Sequence, residues 1–157
     1  VNAKAKALGT AAALITAGTL AFVTQKEGVE YSVYQDIVGV DTVCAGITGK
    51  DVIPGKVYTP AECDALLKKH LVEHAAGFIA CTRPDLSQGE FDAYASFTYN
   101  VGINAACKST LAKKLIAGDR RGACDELLKW NRAGGKEVRG LTLRRQDERK
   151  LCLRDLP

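Results

Sequence analysis

Six cysteines, at positions 44, 63, 81, 107, 124 and 152, do most to limit the folds open to this chain. No two of them form a C-x-x-C pair, and none has a histidine at metal-ligand spacing. An even, dispersed set reads as three disulfides closed in an oxidising compartment. The alternative is a set of reduced thiols in a core. Six cysteines permit many pairings, so the residues alone leave the connectivity open. At 157 residues the chain is long enough to bury a core, as one compact unit or as two small lobes. Its net charge of +4 is too weak an excess to argue for nucleic acid. The charge suits a polyanionic envelope partner or simply a soluble surface.

The N-terminal segment narrows the setting. Ala7 to Thr24 carries no charge, with Lys4 and Lys6 before it and Lys26 after it. As one helix it would be about 27 Å long, enough for a thin bilayer. Ala, Gly and Thr dominate it, and only Leu8, Leu14, Ile15, Leu20, Phe22 and Val23 are strongly apolar, so membrane insertion is marginal. A cleavable signal peptide needs a small-residue cleavage site, which Phe22 to Lys26 does not supply. A permanent anchor would be richer in Leu and Ile. A soluble Ala-rich helix packed on the body remains open.

Beyond it, Glu27-Gly28 is followed by alternating apolar and polar residues with a turn at Gly39. The stretch carries Asp36 and Thr42. Glycoside hydrolysis uses two carboxyl groups on opposite sides of the scissile bond, and a helix end followed by a hairpin sets them facing each other compactly. Taken singly, each residue has an ordinary reading: a solvated helix-end acid, a turn former and a strand residue. Glu30 and Asp41 lie close by without the matching spacing.

From Tyr31 to Gly49 the period of two predicts a small antiparallel sheet. Thr59-Pro60-Ala61-Glu62 is a capping box with proline at the first helical position. The helix it opens is expected to run to about Ile79, with Cys63, Leu66, Leu67, Leu71, Ala75 and Phe78 as its apolar stripe. Ser87-Gln88-Gly89-Glu90 is a second capping box, and Asp119 to Trp130 reads as a further helix.

One motif points elsewhere. His70-Leu71-Val72-Glu73-His74 fits H-x-x-E-H, a zinc-peptidase pattern whose imidazoles share a helix face. No third ligand is marked downstream, and the pair falls within the apolar stripe, where core histidines are common. A wall-binding protein with incidental acids is a third reading. Such a binder would survive the loss of Glu27.

The ordered motifs favour the first reading. Glu27-Gly28, Asp36 and Thr42 resemble the Glu–Asp–Thr constellation of the phage T4-type lysozymes, glycoside hydrolase family 24. Ser96 to Gly102 is similar to that family's S-F-x-x-N-V-G, and Cys107 to Leu111 to its C-x-S-T-L. Trp130 to Gly135 is similar to W-x-x-A-G-G, and Gly140 to Arg145 to G-L-x-x-R-R. The resemblance covers the chain from Glu27 to Leu153 and extends to a branch of endolysins with a signal-anchor-release segment.

It implies an α+β, lysozyme-like fold: mostly helical, with a small antiparallel sheet lobe, a long connecting helix and a helical C-terminal lobe. The implied boundaries are 1–26 for an N-terminal signal-anchor-release helix and 27–157 for the catalytic domain. The latter divides into a β-lobe at 27–58, the connecting helix at 59–80 and the helical lobe at 81–157. The disulfides it implies are Cys81–Cys107 and Cys124–Cys152, which leaves Cys44–Cys63.

The implied substrate is peptidoglycan, cut at the β-1,4 bond between N-acetylmuramic acid and N-acetylglucosamine. Glu27 would be the general acid and must hold a proton near neutral pH, which a half-buried helix end favours. Asp36 would stay ionised, stabilise the transition state and activate a water that Thr42 holds. An inverting mechanism with carboxyls about 6.5–9.5 Å apart follows from the family. No cofactor or metal is expected, nor any nucleic-acid partner. A monomer is expected, exported by the host to the periplasm, tethered first to the inner membrane and then released.

Tyr99 and Asn100 would line the cleft and bind sugar, or else be a core aromatic and a buried helix-end amide. Arg144 and Arg145 would meet acidic stem peptides, or pair with Asp147 or Glu148 on their own helix. Family members commonly pair a His after the catalytic Thr with an Asp on the long helix. Here Ile47 and His70 stand at those positions, so that salt bridge is expected to be absent.

Overall fold

The computed structural model describes residues 2–157. The chain divides into two compact units, Ile15–Leu71 and a second that joins the residues up to Leu14 to Val72–Pro157. The uncharged N-terminal segment is not one helix. It forms α1 (Ala3–Leu14) and α2 (Ala17–Glu27). The break has a local cause. Thr16 is extended and accepts the Thr19 N–H on its hydroxyl, while the Thr19 hydroxyl accepts the Thr16 N–H. That reciprocal box starts a new helix at Ala17. The carbonyl of Leu14, left over at the end of α1, accepts the side-chain amide of Gln88 at 2.8 Å. Among the described residues no single helix is long and apolar enough to cross a membrane; α1 and α2 meet that test only when counted together.

In the unit Ile15–Leu71, α2 leads into the antiparallel pair β1 (Glu30–Gln35) and β2 (Asp41–Cys44). Their register sets Tyr34 opposite Thr42 and Gln35 opposite Asp41, with an irregularity between Glu30 and Tyr34. Ser32 bridges to Val57, and Tyr58 N–H donates to Tyr31 O at 2.7 Å, so the chain before Tyr58 lies along β1. Tyr58 also donates its hydroxyl to Asp51 O and accepts the Ile53 N–H, which pins that loop. Val23, Val43, Ile47, Tyr58 and Leu67 are buried here. The hairpin tip is bare: Ile37 and Val38 are fully or largely exposed.

The long helix α3 (Pro60–Cys81) starts where its capping box places it. Thr59 Oγ1 accepts the Glu62 N–H at 3.1 Å, and Glu62 reaches back to the Thr59 N–H.

The unit containing Val72–Pro157 is helical: α4 (Gln88–Val101), α5 (Ile103–Lys108), α6 (Thr110–Ile116), α7 (Arg120–Glu126) and α8 (Arg139–Arg154). The Ser87 box caps α4 as read from the sequence. Residues 89–98 of α4 are all buried, so this helix is the axis of the core. Its Tyr94 and Phe97 pack on Phe78 and Trp130 respectively, with ring centroids 5.2 Å apart in each pair. The glycine turn at Gly134-Gly135 closes a two-residue hairpin, β3 (Arg132–Ala133) and β4 (Lys136–Glu137). Both glycines have positive φ, which suits a tight hairpin turn.

Two buried ion clusters lie within this core. Glu90 is fully buried, and its carboxylate accepts Arg120 Nε at 3.0 Å. Glu148 accepts Ser96 Oγ at 2.6 Å and pairs with Arg145 Nε at 2.6 Å. Arg144 donates to the Ser96 carbonyl at 3.1 Å. Burial pushes the Glu148 carboxyl upward, opposed by the two guanidiniums and the Ser96 hydroxyl. The disulfides are Cys44–Cys63, Cys81–Cys107 and Cys124–Cys152, with no free cysteine among the described residues.

Candidate active site

Helix α2 ends on Glu27. Gly28 follows at φ 73° and donates its N–H to Thr24 O, closing the helix and swinging the chain into β1. Glycine adopts that conformation without a Cβ penalty, so the Glu-Gly pair is a local instruction that places a carboxylate at a helix end. Glu27 is half-buried. Its Oε2 lies over the backbone of Gly46: a methyl built there would stand 3.4 Å from that oxygen. Glu27, Gly28, Val29, Glu30, Tyr34 and Cys44 line a cleft of about 410 Å³.

Asp36 opens the hairpin turn. Its Oδ1 accepts the N–H groups of Val38 and Val40, each at 2.9 Å. Its own N–H donates to Val40 O at 3.0 Å, and its carbonyl accepts the Gly39 N–H. Asp side chains bind their own turns in this way. Oδ2 makes neither of the two turn bonds. Thr42, buried on β2, donates its hydroxyl to Val40 O at 2.9 Å. Asp36, just past the end of β1, and Thr42 on β2 both bond to the peptide groups of Val40. Val40 therefore serves both residues. Its N–H holds Asp36, and its carbonyl orients the Thr42 hydrogen away from the side chain's free lone pairs. Such a backbone hub leaves no mark in the residue types, and only the turn spacing hinted at it.

The structure thus joins Asp36 to Thr42 through Val40, and sets Glu27 against the turn that follows Thr42. Tyr99 and Asn100 belong to the other unit. Tyr99 is half-buried, with its ring edge-to-face with His74 at 5.2 Å. Asn100 is exposed at the end of α4, so it is not a buried helix-end amide.

The family's salt bridge between the positions matched by Ile47 and His70 is absent, as Ile47 carries no charge. His70 on the long helix instead meets Asp51 at the end of a short 3₁₀ turn, Nε2 to Oδ2 at 2.8 Å. Lys69 adds a bond to the same oxygen at 2.9 Å, and Ile47 is buried apolar core. Lys69 first and His70 second hold the Asp51 carboxyl below its ordinary range. Of the two readings of Arg144 and Arg145, the structure shows the pairing with Glu148 on their own helix. Arg144 and Arg145 are buried and committed to Ser96 and Glu148.

The H-x-x-E-H histidines are engaged separately, His70 with Asp51 and His74 with Tyr99. Among the described residues no three His, Cys, Asp or Glu side chains gather as metal ligands.

The family model for phage lysozyme matches residues 24–148. A SAR-endolysin of Bacteriophage PS119 is 50% identical over 127 residues, covering 81% of this chain and 76% of that protein. Among solved structures, the active form of the P1 phage endolysin Lyz superposes with a TM-score of 0.82 at 25% identity, covering 92% of this chain and 87% of that one. A mutant of P22 lysozyme gives 0.80 at 30% identity, covering 88% and 97%.

Proposed function

The chain belongs to the phage lysozyme family, and on that premise we propose how it acts as an endolysin on bacterial peptidoglycan. It is a glycoside hydrolase, and the bond cut in this reading is the β-1,4 link between N-acetylmuramic acid and N-acetylglucosamine. The observation that carries the residue assignment is the hairpin: one carboxylate clamped in its turn, a hydroxyl bonded to the same Val40, and a second carboxylate at the helix end that feeds it.

Glu27 gives its proton to the departing glycosidic oxygen as the C1–O bond breaks, which relieves the leaving group of charge. The sugar ring gains oxocarbenium character, which the Asp36 carboxylate stabilises. A water attacks C1 from the opposite face and gives one proton to Asp36, through the Oδ2 that the turn leaves out. The Thr42 hydroxyl has its hydrogen committed to Val40 O, so it receives the water's second hydrogen as an acceptor. The water then turns a lone pair to C1. One turnover leaves Glu27 ionised and Asp36 protonated, and exchange with solvent resets both. Attack by water on the opposite face inverts the anomeric centre. Tyr99 and Asn100, in the unit that holds Val72–Pro157, bind sugar.

The named relative of PS119 supports an N-terminal segment that first tethers the enzyme to the host inner membrane and then releases it into the periplasm. In that account α1 and α2 are the released form, and the enzyme works as a monomer. The test is Glu27→Gln, which keeps shape and removes the transferable proton. Lysis of purified walls should fall by roughly 10²–10⁴ with melting unchanged. Turnover equal to the parent's would remove Glu27 as the acid.

A further inference from the structure

We propose that the Cys44–Cys63 disulfide is the positioning clamp for Glu27, acting through the turn Val43–Ile47. The inference rests on the reading of Glu27 as the general acid. Three observations converge on it.

The first is the turn itself. Val43 N–H donates to Ile47 O at 2.9 Å and Ile47 N–H donates to Val43 O at 2.8 Å, which closes a tight loop directly after Thr42. Val43, Cys44, Ala45 and Ile47 are buried. The loop leaves Gly46 uppermost, and the Glu27 carboxylate lies on it. Where this loop sits therefore decides where the carboxylate rests.

The second is the backbone at Cys44. Its φ of 58° is the only positive value at a non-glycine residue among the described residues. L residues avoid this region, and such a conformation persists only where surroundings impose it. A turn-former such as glycine or asparagine would adopt it more readily. The residue found there is instead the one that can be tied down covalently.

The third is the tie. Cys44 lines the same cleft as Glu27, and its sulfur is bonded to Cys63 in the first turn of α3. The bond fastens the strained residue to a long helix rather than to another loop. Catalytic groups must be held within a fraction of an ångström, and a misplacement of about 1 Å can cost 10²-fold in rate. Cys44 and Cys63 are thus positioning residues, acting on the acid through Gly46.

A structural staple and a positioning clamp differ in what they change. Any lost disulfide lowers the melting temperature, but only this one should lower turnover in molecules that are still folded. The test compares C44S/C63A with C124S/C152A, whose bond lies in the core of the other unit. Both are assayed on a soluble alternating oligosaccharide, well below their melting points. C44S/C63A should lose about 10- to 100-fold in kcat with KM near the parent's. C124S/C152A should keep the parent's kcat despite its lower Tm. If C44S/C63A does not fold, C44G/C63A takes its place, since glycine accepts the left-handed backbone unaided. Parental kcat in the variant without the Cys44–Cys63 bond, or an equal kcat loss in C124S/C152A, overturns the clamp. Glu27→Gln run alongside separates the two ideas. If it is active, the acid assignment fails; if it is dead while the clamp variant keeps its kcat, only the clamp fails.

Discussion

Replacing Thr42 by valine isolates one hydrogen atom and one lone pair. The side chain is 4% exposed, and its hydroxyl donates to Val40 O over 2.9 Å. That carbonyl also accepts the Asp36 N–H at 3.0 Å, so losing the hydroxyl orphans no buried acceptor. Valine fills the same space and favours a strand. The stability cost therefore falls at the level of one ordinary hydrogen bond, about 0.5–1.5 kcal/mol. For a domain of this size that is a drop in Tm of about 1–6 °C. Catalysis should suffer more. The attacking water loses the acceptor for its second hydrogen just as it gains positive charge. A hydrogen bond to a charged group is worth about 1.5–3 kcal/mol, which is about 10- to 150-fold in rate. Reducing-end release from purified peptidoglycan, set beside a thermal melt, reads both quantities. Thr42→Ser should recover most of the loss. A valine variant within about twofold of the parent would refute the water-holding role, because the expected loss begins near tenfold.

Other outcomes follow from features elsewhere in the chain. Arg120→Met leaves the fully buried Glu90 without its guanidinium, which should cost about 3–5 kcal/mol and lower Tm by about 6–20 °C in a thermal melt. Arg83 holds the Asp85 carboxyl down to about 2 from 3.8. Folding is thus favoured while Asp85 is ionised, and this contribution fades as pH falls from about 4 to 2. Asp85 is exposed, so solvent screens the pair and the effect is small, and Asp85→Asn should flatten that part of a pH–stability curve. Leucine at Gly9, Thr10, Gly18 and Thr19 raises the apolarity of the N-terminal segment and removes the Thr19 half of the box that breaks it. That variant should stay in the membrane fraction of host cells after depolarisation and fail to lyse them. A parent protein found soluble throughout would count against tethering.

The features legible in the sequence are those whose causes are local. The Thr59 and Ser87 boxes hold their partners three residues away, and both helices begin where the boxes put them. The Glu27-Gly28 helix end and the hairpin after it are local in the same sense. The break between α1 and α2 was hidden because the Thr16 box is closed by a threonine instead of Glu or Gln. Its other support, Gln88, lies 74 residues away. The His70–Asp51 pair is not legible because matching position by position looks to residue 47, whereas the partner stands at 51. The pairing of Arg144 and Arg145 with Glu148 is legible in the helical spacing, whereas the burial of Arg144 against Ser96, 48 residues away, is not. Val40 acts through its peptide group, which every residue has.

The order of the disulfides has a consequence for how the chain is made. Along the sequence the cysteines are bonded in consecutive pairs: 44 with 63, 81 with 107, and 124 with 152. No bond is nested in another or crosses it. A chain entering an oxidising compartment N-terminus first presents its thiols in that same sequence. Each second cysteine arrives when a single unpaired partner is waiting, and the pair can close before the next thiol emerges. Oxidation in order of arrival then leads straight to the native set, so maturation needs a thiol oxidant but no step that breaks and remakes a wrong bond.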